Sequence, residues 1–373
     1  MVLLIVTVLW LAGYGFLIGY YYYHWKKLPV FQPPNEPAHT FISVVVAARN
    51  EEKTLPHLLQ ALQQQTYPSE LFEVIVVDDF STDGTRGVVP TLSKPHIKVL
   101  QPAADPLHSS KKKAIEAGVK AAAGGLIVIT DADCLPQKEW LSIMAQFYQQ
   151  KGAAFMAAPV RFTHNGSLLQ LFQAVDFLTL QGITGASVAA GFHSMCNGAN
   201  LAYTKQAFTD VNGFAGIDQI ASGDDMLLMH KIKKQYPQKV HYLKHPQAIV
   251  TTPPMPTWKQ FVMQRRRWAS KTAHYDDKAV LLVLLFVYGF NCWFLVLLVA
   301  AFFQPLHWIT LLVYGVLKTL VEWRFVQSVA NFYGEQALMR YFPLLQPLHM
   351  LYTISVGFIS QLGSYEWKGR RTK

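Results

Sequence analysis

Between residues 41 and 150 the chain repeats one pattern: an apolar run of strand length, a polar break, then a stretch of helical character. The runs are 41–47, 72–77, 97–100 and 126–130. The first is followed by 51–65, where Leu55, Leu58, Leu59 and Leu62 recur at the helical period, and later ones by 111–123 and 138–150. The first of these runs is near-continuously apolar and so reads as a buried strand. Strands that alternate with helices predict an α/β fold, a mostly parallel sheet with helices on both sides. In such sheets ligands bind beyond the carboxyl ends of the strands.

Polar residues collect at those ends. The first run leads into Arg49-Asn50-Glu51, the second into Asp78-Asp79, and the fourth into Asp131-Ala132-Asp133. Two neighbouring carboxylates at the tip of a buried strand repel one another and are costly to bury unless a positive partner is present. Carboxylate oxygens suit Mg2+ or Mn2+, ions that often bridge one or two carboxylates to a substrate diphosphate. Helix capping is the rival account of Asp131 and Asp133, and their place after a buried strand favours metal binding. Asp78-Asp79 opens DDFSTDGT, in which Ser81 or Asp83 can cap the next helix. The strand-tip aspartates are free of that duty and suited to accept from a base or ribose.

Three further clusters admit two readings each. Ser110-Lys111-Lys112-Lys113 opens a helix, so backbone N–H groups and ammonium charges point towards an anion. Lysine runs are usually solvated faces, which is expected for two of these three. Ser222-Gly223-Asp224-Asp225 precedes a helical stretch, and its carboxylates either stabilise the helix start or supply a general base. Gln264-Arg265-Arg266-Arg267-Trp268 lies on a basic amphipathic helix with Trp258, Phe261 and Val262. Such a helix suits a membrane interface, and its Arg and Trp suit a phosphate pocket; the two roles are compatible. The 13 histidines show no metal-ligand spacing.

The ends of the chain are apolar. Residues 2–23 carry no charge and are long enough to cross a bilayer. Tyr20 to Tyr23, Trp25, Lys26 and Lys27 follow as an interfacial belt with cytoplasmic-type charge. An anchor fits better than a cleaved signal peptide, because no basic segment precedes the stretch and no small-residue cleavage site stands out. Residues 280–303, 306–321 and 342–362 are further membrane candidates, the last interrupted by Pro343, Gln346, Pro347 and His349. The basic tail, with Lys368, Arg370, Arg371 and Lys373, belongs on the cytoplasmic side, so one of the C-terminal segments is expected not to cross. The expected division is an anchor at 1–23, a Pro-rich linker at 24–40, a catalytic domain at 41–254, an interfacial helix at 255–278, two to three membrane segments at 279–364 and a tail at 365–373. Cys134, Cys196 and Cys292 form no disulfide or metal pattern, and the net charge of +10 is read as meeting anionic lipid and an anionic substrate, not nucleic acid.

Taken in order, VVVAARNEE at 44–52, VIVVDDFSTDGT at 74–85, SKKKAIEAG at 110–118, VITDADC at 128–134, NGANLAYTKQAF at 197–208, SGDDM at 222–226 and QRRRW at 264–268 resemble the membrane-bound family 2 glycosyltransferases. That group contains cellulose synthase, hyaluronan synthase and ceramide glucosyltransferase. The EWKGR tail at 366–370 is similar to tails in the same group. The resemblance implies a GT-A fold, a nucleotide-sugar donor, with a UDP-sugar favoured, and inversion at the anomeric carbon. It implies that Asp79, with Asp78, holds the nucleoside, that Arg49 and Lys111 border that pocket, and that Asp133 ligates the metal, Mg2+ or Mn2+, with Asp131 holding the donor's ribose or sharing the ion. Asp225 matches the catalytic base, with Asp224 where Glu is usual. Gln264, Arg267 and Trp268 match QxxRW, which contacts the diphosphate and the acceptor side. Ser110 stands for the usual Gly and Glu116 for a common Asn.

The expected protein is thus a multi-pass membrane enzyme, at the plasma membrane with its catalytic domain in the cytoplasm, that transfers one sugar to a lipid acceptor. A processive polysaccharide synthase is the alternative within the family. A non-catalytic membrane scaffold that keeps a GT-A domain is the alternative outside it.

Overall fold

The computed structural model describes residues 1–88, 96–103, 110–192, 194–220, 223–269, 278–360, 365–367 and 370–372. Ser222, Lys368 and Lys373, together with Gln361, Leu362 and 270–277 of the expected membrane and interfacial segments, lie outside the described residues. In chain order the elements are α1 (Val2–Lys27), β1 (Ile42–Ala48), α2 (Leu55–Gln63), β2 (Phe72–Asp78), α3 (Thr85–Val88), β3 (Ile97–Leu100) and α4 (Lys111–Ala121). There follow β4 (Leu126–Ile129), α5 (Trp140–Lys151), β5 (Phe155–Ala157), β6 (Val160–Phe162), α6 (Leu168–Ala190), β7 (Leu201–Thr204), α7 (Lys205–Asp210) and α8 (Met226–Gln235). The chain continues through β8 (Val240–Tyr242), β9 (Val250–Thr252), α9 (Trp258–Ala269), α10 (Lys278–Phe303), α11 (Leu306–Tyr333), α12 (Phe342–Ile359), β10 (Tyr365–Trp367) and β11 (Arg370–Thr372). These elements fall into two compact units, one built on a sheet (29–161, 194–253 and 365–373) and one helical (1–28, 162–193 and 254–364).

The sheet unit has seven strands in the order β3-β2-β1-β4-β7-β5-β8. The four strands legible as apolar runs form its parallel half, with Ala48 opposite Asp78 and Val45 opposite Ile129. β7 enters antiparallel between β4 and β5. Every residue of β2 and β4 is buried; β4 is wholly apolar, whereas β2 also buries Glu73 and Asp78. α4 lies directly on β1 and β2 because Gly118 permits it: a Cβ there would overlap Val45 and come within 3.2 Å of Val77.

Two helices are shorter than their periodicity predicts. α2 begins at Leu55, because Pro56 has no N–H to donate to the carbonyl of Glu52 and is tolerated only in the first turn. α4 stops at Ala121, since Ala123 N–H donates to Glu73 Oε1 and Gly124 N–H to Ser43 Oγ.

The helical unit contains α1, α6 and α9–α12. Among the described residues, α1, α10 and α12 are long and apolar enough to cross a membrane. α11, which begins where the second C-terminal candidate was expected, does not meet that measure, and carries Lys318, Glu322 and Arg324. The first two are satisfied internally. Lys318 Nζ donates to Glu322 Oε1 and Gln346 Oε1, both at 2.6 Å, and Gln346 Nε2 donates back to Glu322 Oε2. The Tyr14 hydroxyl of α1 also donates to Glu322, and its ring stacks on Phe290 of α10 at 3.9 Å. A network with every member bonded joins α1, α11 and α12 without leaving Lys318 or Glu322 as a bare charge in an apolar surrounding.

Candidate active site

The parallel register decides which side chains meet. Because β1, β2 and β4 run together, Arg49, Asp79 and Asp131 leave the sheet at the same carboxyl edge. Arg49 crosses the gap between two strand ends, its guanidinium donating to the carbonyl of Asp79 at 2.6 Å. Asp78 turns back to close its own loop, accepting from Ser81 N–H at 3.1 Å and from Gln101 Nε2 at 3.3 Å. A turn role therefore does reach one of the strand-tip aspartates, contrary to the expectation that Ser81 and Asp83 meet the capping demand alone. Asp79 is buried beside it.

The lysine run divides its work. Ser110 caps α4, its hydroxyl accepting from Lys113 N–H. Lys111 extends to the acidic groups, with Nζ 2.7 Å from Asp131 Oδ1 and 3.1 Å from Asp224 Oδ2. Burial by itself would lower the pKa of Lys111, but the charges of Asp131, Asp224 and Asp225 outweigh it and hold the ammonium above the ordinary lysine range. Lys112 corrects the solvated-face expectation. It is buried and donates to the carbonyls of Ile217 and Ile220, while Lys231 of α8 holds those of Gly213 and Ala215. Two ammonium groups thus fasten the turn-rich segment that leads to Asp224 and Asp225.

Asp225 caps α8. Its Oδ1 accepts from Met226 N–H at 2.7 Å and its Oδ2 from Gly198 N–H at 3.1 Å, so one rotamer is held from two sides. Gly198 is the point of convergence that motif reading missed. A Cβ there would stand 3.3 Å from Lys111 Nζ, 3.4 Å from Asp224 Oδ2 and 3.7 Å from Asp225 Cβ. Its signal was the Asn-Gly-Ala-Asn turn before β7. Asn200 of the same turn is fully buried, donates to the carbonyls of Pro159 and Ala248, and accepts from Trp140 Nε1.

Asp133 follows in the turn closed by Cys134 N–H to Asp131 O, and its Oδ1 is 3.7 Å from Cys134 Sγ. Among the described residues no three His, Cys, Asp or Glu side chains are grouped to hold a metal by themselves. The oxygen-only character of Asp131 and Asp133 nevertheless fits Mg2+ or Mn2+, which bind through one or two carboxylates and complete their shell with substrate phosphate and water.

The sheet unit contains Arg49, Asp78, Asp79, Lys111, Asp131, Asp133, Asp224 and Asp225; Lys111 meets Asp131 and Asp224, with Asp225 on Gly198 beside them, and Arg49 meets the Asp79 carbonyl. Gln264, Arg267 and Trp268 belong to α9 of the helical unit.

Residues 37–271 match the family model described as "Glycosyltransferase like family 2", more than half of the chain. This chain belongs to glycosyltransferase family 2. The family 2 chain is 26% identical over 233 residues to the probable glycosyltransferase YdaM of Bacillus subtilis, a match that covers 61% of this chain and 54% of that protein. It is 35% identical over 116 residues to a dolichyl-phosphate beta-glucosyltransferase of Trichomonas vaginalis, covering 29% of this chain and 35% of that protein. The matches thus span about half the length of the first of these relatives and about a third of the second. A mannosyltransferase from Pyrobaculum calidifontis, solved in complex with GDP-Man and Mn2+, superposes with a TM-score of 0.56 at 17% identity, over 96% of this chain and 98% of that one. At that identity the likeness speaks for the fold, which is of the GT-A type.

Proposed function

We propose that this chain is an inverting glycosyltransferase that moves a sugar from a nucleotide-sugar donor to a lipid acceptor in the membrane. The observation that carries the reading is the convergence of Asp131, Asp224 and Asp225 on Lys111 and Gly198 beyond the carboxyl edge of the sheet. Asp79, with Arg49 beside it, is assigned the nucleoside. Asp133 and Asp131 would hold a divalent ion, Mg2+ or Mn2+, which when bound offsets charge on the departing diphosphate. Lys111 adds a fixed positive charge on the same side.

Asp225 is assigned the proton. Its two backbone hydrogen bonds engage the carboxylate only as an acceptor and restrict its rotamer, as a general base requires. An acceptor hydroxyl transfers its proton to Asp225 as its oxygen attacks the anomeric carbon from the face opposite the diphosphate. Gln264, Arg267 and Trp268 are assigned to the diphosphate and the acceptor side.

Three features support a membrane-borne acceptor. α1, α10 and α12 match bilayer thickness. Lys26 and Lys27 follow the apolar stretch of α1 as cytoplasmic charges do. The Trichomonas relative is named for dolichyl phosphate. On this reading the protein is a multi-pass plasma-membrane enzyme with a cytoplasmic catalytic part.

The test uses membranes containing the full chain, Mn2+ or Mg2+, and radiolabelled UDP- and GDP-sugars, with Asp225→Asn as control. Label in the lipid extract is expected with a UDP-sugar, and the variant should lose about 10²–10⁴-fold of it while still binding donor. Label in polymer would favour a processive synthase. Undiminished transfer by Asp225→Asn would refute the assignment of the base, and no variant-sensitive transfer from any donor would favour a scaffold.

A further inference from the structure

α6 is a 23-residue helix whose only charged residue is Asp176. A lone carboxylate in so apolar a segment calls for a partner, and the partner comes from the QRRRW segment. Arg265 NH2 lies 2.8 Å from Asp176 Oδ2, and the two side chains are 2% and 7% exposed. His349 of α12 stands on the other oxygen, Nε2 to Oδ1 at 3.5 Å. The guanidinium also lies over the ring of Trp268 at 4.3 Å and that of Phe261 at 5.1 Å.

The contact continues along one face of α6. Phe172, Gln173, Asp176 and Phe177 follow the spacing of neighbours on a helix surface. All four address α9 or the segment leading into it. Gln173 exchanges two hydrogen bonds with the backbone of Met255, both at 2.9 Å. Phe172 packs on Trp258 and Phe261, and Phe177 lies 6.1 Å from Trp268. Tyr352 of α12 completes the aromatic seat against Phe172 and Phe261.

We propose that Asp176 and Arg265 are positioning residues for the reaction: a buried ion pair that docks α9 on α6 and so sets the orientation of Gln264, Arg267 and Trp268. Arg265, although central to the basic motif, is committed to this strut and takes no part in donor binding. The inference rests on the glycosyltransferase reading for what is positioned. The strut itself is independent of that reading.

Two measurements on the full chain in detergent test it. In the transfer assay, Arg265→Gln and Asp176→Asn should each lower kcat about 10- to 100-fold, the cost of a small misplacement, and should change donor KM alike, to within about threefold of each other. The double variant should be no worse than the poorer single, because both remove one interaction. A tenfold rise in donor KM for Arg265→Gln alone, or losses that multiply in the double variant, would overturn the proposal in favour of direct donor contact. Unchanged kcat in both single variants would overturn it as well.

Hydrogen exchange of the peptide covering 258–269 is read alongside. It should speed up in Asp176→Asn while β1, β2 and β4 keep wild-type exchange, and unaltered exchange in that peptide would sink the strut. If a variant does not fold, Arg265→Lys replaces it, keeping the charge while losing the planar stack on Trp268, with exchange expected between the wild-type and Asn values. Failure of the wild type to transfer sugar would count against the functional reading, and exchange would still decide the strut.

Discussion

A single ammonium holds much of the acidic site together. Lys111 lies against Asp131 and Asp224, carboxylates from separate loops that would otherwise repel. Its pKa is raised in the folded protein. The favourable term is therefore complete below the unfolded lysine value, about 10.4, and is lost only as pH rises through the higher folded value. Lys111→Met should cost about 1–2 kcal/mol, less than the about 3–5 kcal/mol of a fully buried pair because Asp131 is one-third exposed. Thermal melts should show that cost unchanged between about pH 6 and about pH 9, well below the lysine titration. A cost that faded across that window would show that the ammonium is not the group responsible. Tyr203, behind this site, has its phenol pKa pushed up by burial and by the charge of Asp224.

At the scale of elements, the sheet is stitched at the end opposite the site by a second carboxylate. Glu73 of β2 accepts from Ser43 Oγ of β1 at 2.7 Å, from Ala123 N–H at 2.6 Å and from Lys98 Nζ of β3 at 2.7 Å. Burial alone would raise its pKa, but these donors, Lys98 foremost, bring it below the ordinary value of 4.5. A depressed carboxylate stabilises above its unfolded pKa, and that term is lost as pH falls through the folded value. Glu73→Gln should therefore cost about 1.5–3 kcal/mol at pH 7, with the gap to wild type closing as pH falls below about 4. Melting both proteins at the two pH values checks this, and a gap that persists in acid would place the effect elsewhere. Neither this stitch nor the Asp176–Arg265 pair was legible in the sequence. Each joins residues remote in the chain, and a single Glu in a strand or Asp in a helix carries no sign of its partner. β5, β7 and β8 were illegible for a different reason. At three or four residues, as in Phe155–Ala157 and Leu201–Thr204, a strand is too short to show a period.

For the whole molecule, the apolar helices carry the prediction. α1 and α10 are each 26 residues long, about 39 Å at helical rise against a hydrocarbon core of about 30 Å. The protein should stay in the membrane pellet through an alkaline carbonate wash and leave it only with detergent. Release by carbonate or high salt would refute membrane-spanning segments. The sequence by itself determined the parallel half of the sheet, its polar carboxyl edge, the family and the apolar ends, since all of these are written in local periodicity or in short ordered motifs. Tertiary structure alone decided which carboxylates Lys111 meets, that Lys112 is spent on the carbonyls of Ile217 and Ile220, that Gly198 lies against Lys111, Asp224 and Asp225, and that Arg265 is buried in an ion pair. A charge in a motif has several candidate partners along the chain. Only packing, by burying it beside one of them and excluding water from the pair, chooses.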